Sequence, residues 1–210
     1  MAEFITEKSV EQYLYELLPK RDAVLTEMEA LAKRDHVPIV GPLAGRFLAL
    51  LVETAGARRI FEMGSAIGYS TIWLARAAGA RGEVHYTDTD PERYRLAEDF
   101  IRRAGVAKRI QMHLGDASAT LRNTKGTFDA IFCDAEKTGY LTALRVAVPK
   151  LRPGGLFIAD NVLWGGEVAG KTKDKDGLAI QKFNRLLYTS KELTPVIVPL
   201  RDGIAVCRKR

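Results

Sequence analysis

The sequence predicts an α/β protein with a mostly parallel sheet, helices on both faces and an antiparallel hairpin at its end. From Arg59 onward, strand-like and helix-like segments alternate, which is typical of parallel strands joined by helical crossovers. The last two strand-like runs are joined by Arg201-Asp202-Gly203, and Asp-Gly is a strong hairpin signal. A length of 210 residues fits a single domain spanning 1–210.

The first 56 residues form a helical segment in front of this alternation. Apolar residues recur at helical spacing between Ser9 and Lys33, and Pro19 either divides that stretch into two helices or kinks a single one. Pro38 and Pro42 bracket a turn, and residues 43–55 follow as a third helix. This segment carries no readable code, but its position predicts that it shapes a substrate pocket.

The alternating region supplies the remaining elements. Strands are predicted over 59–63, 83–87, 110–114, 128–133 and 155–159, and the hairpin strands over 195–200 and 204–208. Helices are predicted over 69–78, 91–104, 117–121, 138–148 and 178–188.

Composition disfavours several classes of protein. The net charge is +6, but the charges are scattered, which favours a solvated face, since nucleic-acid binders concentrate their charge on one face; an acidic or phosphorylated substrate stays open. No apolar stretch approaches the roughly 20 residues of a membrane span, and the polar, acidic N-terminus is unlike a secretion signal. Cys133 and Cys207 lack metal-like spacing and predict buried thiols in a reducing compartment, so we expect a cytoplasmic protein.

Two strand-like runs end in acid, at Asp134 and at Asp160-Asn161. If these strands are parallel neighbours, two carboxylates and an amide oxygen meet at one sheet edge, where open α/β sheets bind ligands. Such hard oxygen ligands suit Mg²⁺, Ca²⁺ or Mn²⁺. Each acid taken alone is better explained as a helix cap or a capped turn; the pair favours a metal.

A glycine loop follows the first strand, from Gly64 to Gly68. Its spacing is not that of a dinucleotide fingerprint, and it lacks the Lys-Ser/Thr pair of a phosphate-binding loop. Asp88 ends the second strand, where an acid can bind ribose hydroxyls, and Asp116 ends the third, where it could flank an adenine ring. Glu62 before the loop suits a cationic cofactor.

These residues resemble the cation-dependent O-methyltransferases that include catechol and caffeoyl-CoA O-methyltransferases, especially small bacterial members. The most specific segments are EMGSAIGYS (62–70), DAEKTGY (134–140) and ADNVLWGGEV (159–168). The resemblance implies a Rossmann-like class I methyltransferase fold with a seven-stranded sheet, S-adenosylmethionine as methyl donor and a divalent cation, usually Mg²⁺. It also implies a small aromatic hydroxyl compound as acceptor and a homodimer.

The resemblance assigns roles residue by residue. The cofactor-binding residues that it implies are Val40, Glu62, Gly64, Ser65, Tyr69, Ser70, Asp88, Asp116, Ala117 and Asp134. The implied metal ligands are Asp134, Asp160 and Asn161; the catalytic residue is Lys137; and the substrate contacts are Pro38, Lys137 and Trp164. One departure is that no acid aligns with the one that grips the second catechol oxygen in the mammalian enzyme, because Leu200-Arg201 lies in that region.

Methyl transfer from a sulfonium is an in-line displacement, so acceptor oxygen, methyl carbon and sulfur must be aligned. A metal chelated by vicinal oxygens stabilises the phenolate, and Lys137 is expected to be the general base. Three alternatives remain: a nucleic-acid methyltransferase, a catalytically silent S-adenosylmethionine-binding module, and a nicotinamide-dependent oxidoreductase. The first is disfavoured because the chain lacks an Asn/Asp-Pro-Pro-Tyr/Phe loop, and the second because Lys137 and the metal-ligand set are intact. The third is disfavoured by the glycine spacing.

Overall fold

A computed structural model describes residues 7–210; residues 1–6 of the predicted N-terminal segment lie outside this range. Seven strands form one sheet in the order β3-β2-β1-β4-β5-β7-β6. The strands are β1 (Arg59–Met63), β2 (Glu83–Asp88), β3 (Ile110–Leu114), β4 (Phe128–Cys133), β5 (Leu151–Ala159), β6 (Leu193–Val198) and β7 (Ile204–Lys209).

The helices are α1 (Lys8–Glu16), α2 (Ala23–Asp35), α3 (Gly41–Thr54), α4 (Tyr69–Ala77), α5 (Pro91–Arg103), α6 (Ala117–Asn123), α7 (Tyr140–Lys150) and α8 (Lys175–Thr189). Short 3₁₀ helices occur at Ala107–Arg109, Lys137–Gly139 and Trp164–Ala169. Among residues 7–210, no helix is both long and apolar enough to cross a membrane.

Two apolar cores cover the two faces of the sheet, because successive strand residues point to opposite sides. In β4, Phe132 packs with the core formed by α2 to α5, and Ile131 packs with the core formed by α6 to α8. Cys133 and Cys207 are free, buried thiols within the second core. The predicted fold class, a mostly parallel sheet with helices on both faces, is therefore confirmed.

The register of the sheet brings the strand-end acids together. β4 and β5 are parallel, with Cys133 opposite Ala159, so Asp134 and Asp160 leave the sheet side by side. β7 runs antiparallel to β5, which returns the tip of the hairpin to this same edge. There, the backbone amide of Val162 donates to the carbonyl of Gly203 at 3.0 Å.

Several predicted boundaries were wrong for identifiable reasons. Pro42 lies in the first turn of α3 rather than ending a turn, because proline lacks only an N–H that the first turn leaves unpaired. β5 begins four residues early, at Leu151, despite its internal proline and glycines. α8 also begins early, since the Asp174 carboxylate caps it by accepting from Gly177 N at 2.7 Å.

The N-terminal helices cover the carboxyl edge of the parallel strands. Asp22 caps α2, and the Arg21 guanidinium forms a two-pronged ion pair with Glu29 on that helix. The Tyr69 hydroxyl, at the start of α4, donates to the same Glu29 carboxylate at 2.8 Å. α2 is thereby fixed over the glycine loop. That the N-terminal segment shapes a substrate pocket stays a prediction.

Candidate active site

A cavity of about 1210 Å³ lies at the carboxyl edge of the parallel strands, beneath α2 and the start of α3. All but one of the residues predicted for cofactor, metal, substrate and catalysis line it. They are Pro38, Val40, Gly64, Ser65, Tyr69, Ser70, Asp88, Asp116, Ala117, Asp134, Lys137, Asp160, Asn161 and Trp164. The exception is Glu62.

The glycine loop needs glycine at Gly64 for two reasons. Its φ is +82°, a conformation that side chains disfavour, and an added Cβ would lie 2.6 Å from the carbonyl oxygen of Asp134. The loop is also bonded to β2, because the Asp88 carboxylate accepts from Ala66 N at 2.8 Å. The loop and the Asp88 carboxylate are therefore held as one unit, with the loop backbone open to a ligand.

Glu62 lies behind the cavity wall rather than on it. Its side chain is fully buried and accepts a short hydrogen bond from the Thr71 hydroxyl, while its Oε1 has no hydrogen-bond partner among residues 7–210. Burial raises the pKa of this carboxyl to about 7. Glu62 was expected to contact the methionine end of the cofactor directly. That contact stays a prediction, because the carboxyl lies behind the residues that line the cavity.

Asp88 and Asp116 both have structural partners. Asp88 Oδ1 accepts from Asp90 N at 2.9 Å, and Asp116 caps α6 by accepting from Ala119 N at 2.7 Å. Each carboxylate retains unused lone pairs, since a carboxylate accepts about four hydrogen bonds. These local bonds fix the two acids at adjacent strand ends of the cavity, where they can receive ligand hydroxyl or amino groups.

The two strand-end acids form the most strained electrostatic feature of the cavity. Asp160 is buried, and burial together with the negative charge of Asp134 raises its pKa to about 7. Its Oδ2 has one cationic neighbour, Arg201, whose Nη1 lies 3.6 Å away. Lys137 Nζ is paired with Asp134 at 2.9 Å, so the buried Asp160 carboxylate has only the more distant Arg201 beside it, an arrangement that favours a further bound cation.

The donors fit a hard divalent cation. Neither the 3₁₀ helix at Lys137–Gly139 nor α7 has a side-chain cap, so Asp134 does not serve as the helix cap that was its structural alternative. Asn161 directly follows Asp160, has a φ of 56° and lines the same cavity, so its side chain can supply an amide oxygen to a cation bound by the two acids. Residues 7–210 contain no cluster of three or more His, Cys, Asp or Glu side chains suited to a metal, so the amide has to complete any such set.

Lys137 lies beside Asp134 and is held at both sides. Its Nζ donates to Asp134 Oδ1 at 2.9 Å and to the Tyr140 hydroxyl at 2.8 Å. The Tyr140 hydroxyl in turn donates to the backbone carbonyl of Asp160 at 2.9 Å. The lysine side chain is only 10% exposed. Its amine is therefore held against Asp134 and Tyr140. A surface lysine, the structural alternative, would instead extend into solvent.

The side of the cavity formed by residues 161–176 is held by two further acids. The Trp164 indole donates to Asp174 Oδ2 at 2.8 Å, and Asp202 Oδ1 accepts from Gly165 N at 2.5 Å. Trp164 has φ of 47°, so its backbone is strained. These bonds place an aromatic side chain at the cavity wall, near the hairpin tip.

Sequence reasoning missed several cavity residues. Tyr15 and Glu29 come from the N-terminal helices, and Arg201 and Asp202 from the hairpin tip. None carries a motif, and Asp202 was interpreted only as a turn residue. The capping role of Asp202 at Gly165 depends on the antiparallel return of β7, so local sequence contains no signal for it.

Comparison with known proteins agrees with this geometry. The family model described as "O-methyltransferase" matches residues 19–210. The chain belongs to the O-methyltransferase family.

Individual relatives cover nearly all of the chain. It is 34% identical to a catechol O-methyltransferase of Niastella koreensis, over 95% of this chain and 96% of the relative. It is 27% identical to a caffeoyl-CoA O-methyltransferase of Stellaria longipes, over 96% and 90%. The crystal structure of a Bacillus cereus O-methyltransferase in complex with SAH matches with a TM-score of 0.87 and 29% identity, over 96% and 97%. The predicted family and the predicted enzyme class are confirmed.

Proposed function

We propose that this O-methyltransferase transfers a methyl group from S-adenosylmethionine to one hydroxyl of a vicinal diphenol, with the help of a divalent cation such as Mg²⁺. The observation that carries this proposal is the placement of Asp134 and Asp160 beside Lys137 at one end of the cavity. The relatives include proteins named catechol, caffeoyl-CoA and flavonoid methyltransferases, and these names support the same acceptor class.

The methyl donor is proposed to occupy the other end of the cavity. The loop at Gly64 and Ser65, with Tyr69 and Ser70 at the start of α4, would hold the methionine portion under Val40. Asp88 would bind the ribose, and Asp116 with Ala117 the adenine. The SAH complex of the Bacillus cereus relative supports this choice of cofactor.

At the acceptor end, Asp134, Asp160 and Asn161 would hold the cation. When bound, such a cation lowers the pKa of a chelated hydroxyl and orients it. The Lys137 amine is the group placed to take the proton of the reacting hydroxyl, because Tyr140 and Asp134 hold its Nζ at this edge. The packed walls, including Trp164, would keep acceptor and donor aligned for in-line displacement.

Two other functions fit less well. A nucleic-acid methyltransferase needs a basic face, whereas Asp88, Asp116, Asp134 and Asp202 line this cavity. A silent binding module would have no use for Lys137, which is held at an acidic pair instead of in solvent.

The test is transfer of labelled methyl from S-adenosylmethionine to a panel of vicinal diphenols, with Mg²⁺ and then with excess EDTA. We expect EDTA to abolish transfer and Mg²⁺ to restore it. Asp160→Asn, which keeps the shape of the side chain, should lower turnover by at least about a hundredfold and should abolish the calorimetric Mg²⁺ signal while leaving S-adenosylmethionine affinity intact. Turnover that EDTA leaves unchanged would refute the metal assignment.

The homodimer stays a prediction. Val10 and Tyr13 of α1 and Leu17, the residue that follows this helix, are each about half exposed or more, and a second copy could cover them. Light scattering of the purified full chain measures the mass in solution directly.

A further inference from the structure

Arg201 lies at the acceptor end of the cavity, at the tip of the hairpin between β6 and β7. Its Nη1 donates a short hydrogen bond to the carbonyl of Val40 and lies 3.6 Å from Asp160 Oδ2. The side chain is 23% exposed, so it is neither free in solvent nor sealed in the core. The guanidinium therefore borders the place where the acceptor is proposed to bind.

The backbone at Arg201 is unfavourable for an arginine. Its φ is 52°, in the left-handed region where glycine is at ease and side chains are strained. Apart from His36, every non-glycine residue of 7–210 with positive φ lines the cavity, so strain is concentrated at the site. Strain retained at a functional cavity points to a use for the side chain that causes it.

The guanidinium has unused hydrogen-bond donors. Of its three nitrogens, only Nη1 has a hydrogen-bond partner among residues 7–210; Nε and Nη2 have none. The Asp160 oxygen at 3.6 Å is an ion-pair neighbour, beyond ordinary hydrogen-bond distance. A guanidinium donates and never accepts, and its planar edge matches a carboxylate with two parallel bonds.

We propose that Arg201 is a specificity-determining residue that binds an anionic substituent of the acceptor, so that the preferred acceptors are vicinal diphenols carrying a carboxylate. This inference rests on the proposed function of the same site. A ligand group that only donates hydrogen bonds cannot bond to the Arg201 guanidinium. A carboxylate can accept from the unpaired N–H groups of Arg201 and carries the opposite charge.

The experiment compares acids with their neutral amides. The two pairs are 3,4-dihydroxybenzoate with 3,4-dihydroxybenzamide, and 2,3-dihydroxybenzoate with its amide, so that the position of the carboxylate is sampled. We expect the wild-type protein to prefer the acid of at least one pair by about tenfold or more in kcat/KM, as a charge-assisted hydrogen bond allows. Arg201→Gly should bring this ratio to about one while amide turnover persists, and Arg201→Lys should keep part of the preference.

Binding is measured separately from turnover, by calorimetry of each acid and amide in the presence of S-adenosylhomocysteine and Mg²⁺. The same acid preference should appear in Kd and should vanish in Arg201→Gly, a change that also relieves the backbone strain. The matched control is Lys33→Gln, which removes one positive charge from the exposed border of the same cavity. It should leave the acid-to-amide ratio unchanged.

The outcomes separate the two proposals. A ratio near one in the wild-type protein, or a ratio that survives Arg201→Gly, overturns the role of Arg201. Amide turnover that is insensitive to EDTA counts against the proposed function instead, because the amides do not need Arg201. If neither acid nor amide is methylated, the ratio of the acid Kd to the amide Kd in wild type and in Arg201→Gly still decides whether Arg201 binds the carboxylate.

Discussion

Tyr140 connects the proposed catalytic lysine to the neighbouring strand end, and Tyr140→Phe tests that connection. The substitution keeps the ring, which packs edge-on against Phe183 with ring centroids 5.2 Å apart, and removes only the hydroxyl. Three hydrogen bonds are lost: the one that the hydroxyl accepts from Lys137 Nζ, the one that it donates to the Asp160 carbonyl, and a longer one to the Cys133 carbonyl at 3.4 Å.

The magnitude follows from the burial of these groups. The hydroxyl is fully buried, so water cannot replace it at the Asp160 carbonyl, and an orphaned buried acceptor costs about 1–3 kcal/mol. In a chain of this size each kcal/mol lowers Tm by roughly 2–4 °C, so we expect a loss of roughly 2–12 °C. Turnover should fall about ten- to hundredfold, because Lys137 loses one of the two contacts that orient its amine.

The assay combines thermal unfolding with steady-state methyl transfer. KM for S-adenosylmethionine should stay unchanged, since Tyr140 is absent from the cavity wall. Tyr13→Phe is the matched control, because Tyr13 is 58% exposed and its hydroxyl forms no hydrogen bond within 7–210; it should alter neither Tm nor turnover. If Tyr140→Phe left kcat within about twofold of the wild-type value, the idea that Tyr140 positions Lys137 would be refuted.

Two further predictions concern stability. Gly45→Ala should destabilise the protein by about 1–3 kcal/mol, because the added Cβ on α3 would lie 2.6 Å from the Trp73 indole nitrogen; denaturant unfolding measures this, and an unchanged midpoint would contradict the packing. Burial lowers the pKa of His85 below 6.5, although Glu83 opposes this shift, so the unfolded chain binds the proton first and stability falls as the pH drops below about 6.5. His85→Gln should make the unfolding free energy fall less steeply below about pH 6.5 than in wild type, and parallel curves would exclude a role for this imidazole.

The fold was predictable because local patterns and topology rules agree. Apolar runs identify the strands, periodic segments between them identify the crossover helices, and Asp-Gly identifies the hairpin. The carboxyl ends of neighbouring parallel strands then meet at one edge of the sheet. The adjacency of Asp134 and Asp160 follows from that rule alone, without any knowledge of side-chain packing.

The remaining features depend on tertiary packing. Glu62 could not be placed behind the wall from sequence, since both faces of a parallel strand are buried and the strand shows no alternation. Tyr15 and Glu29 reach the cavity only because α1 and α2 fold over the sheet edge. The strained φ of Arg201 belongs to a turn whose sequence suggested nothing more than a reversal of the chain.

The reversed direction of β7 has an evolutionary consequence. Its antiparallel pairing with β5 brings the hairpin tip to the Asp160 end of the cavity, while the loops after β1, β2 and β3 form the other end. A change at the tip therefore acts mainly on the end proposed to bind the acceptor, and it reaches the proposed donor end through the hydrogen bond from Arg201 to the Val40 carbonyl. Exchanging residues 199–203 between relatives accordingly measures how far this short segment governs the choice of acceptor.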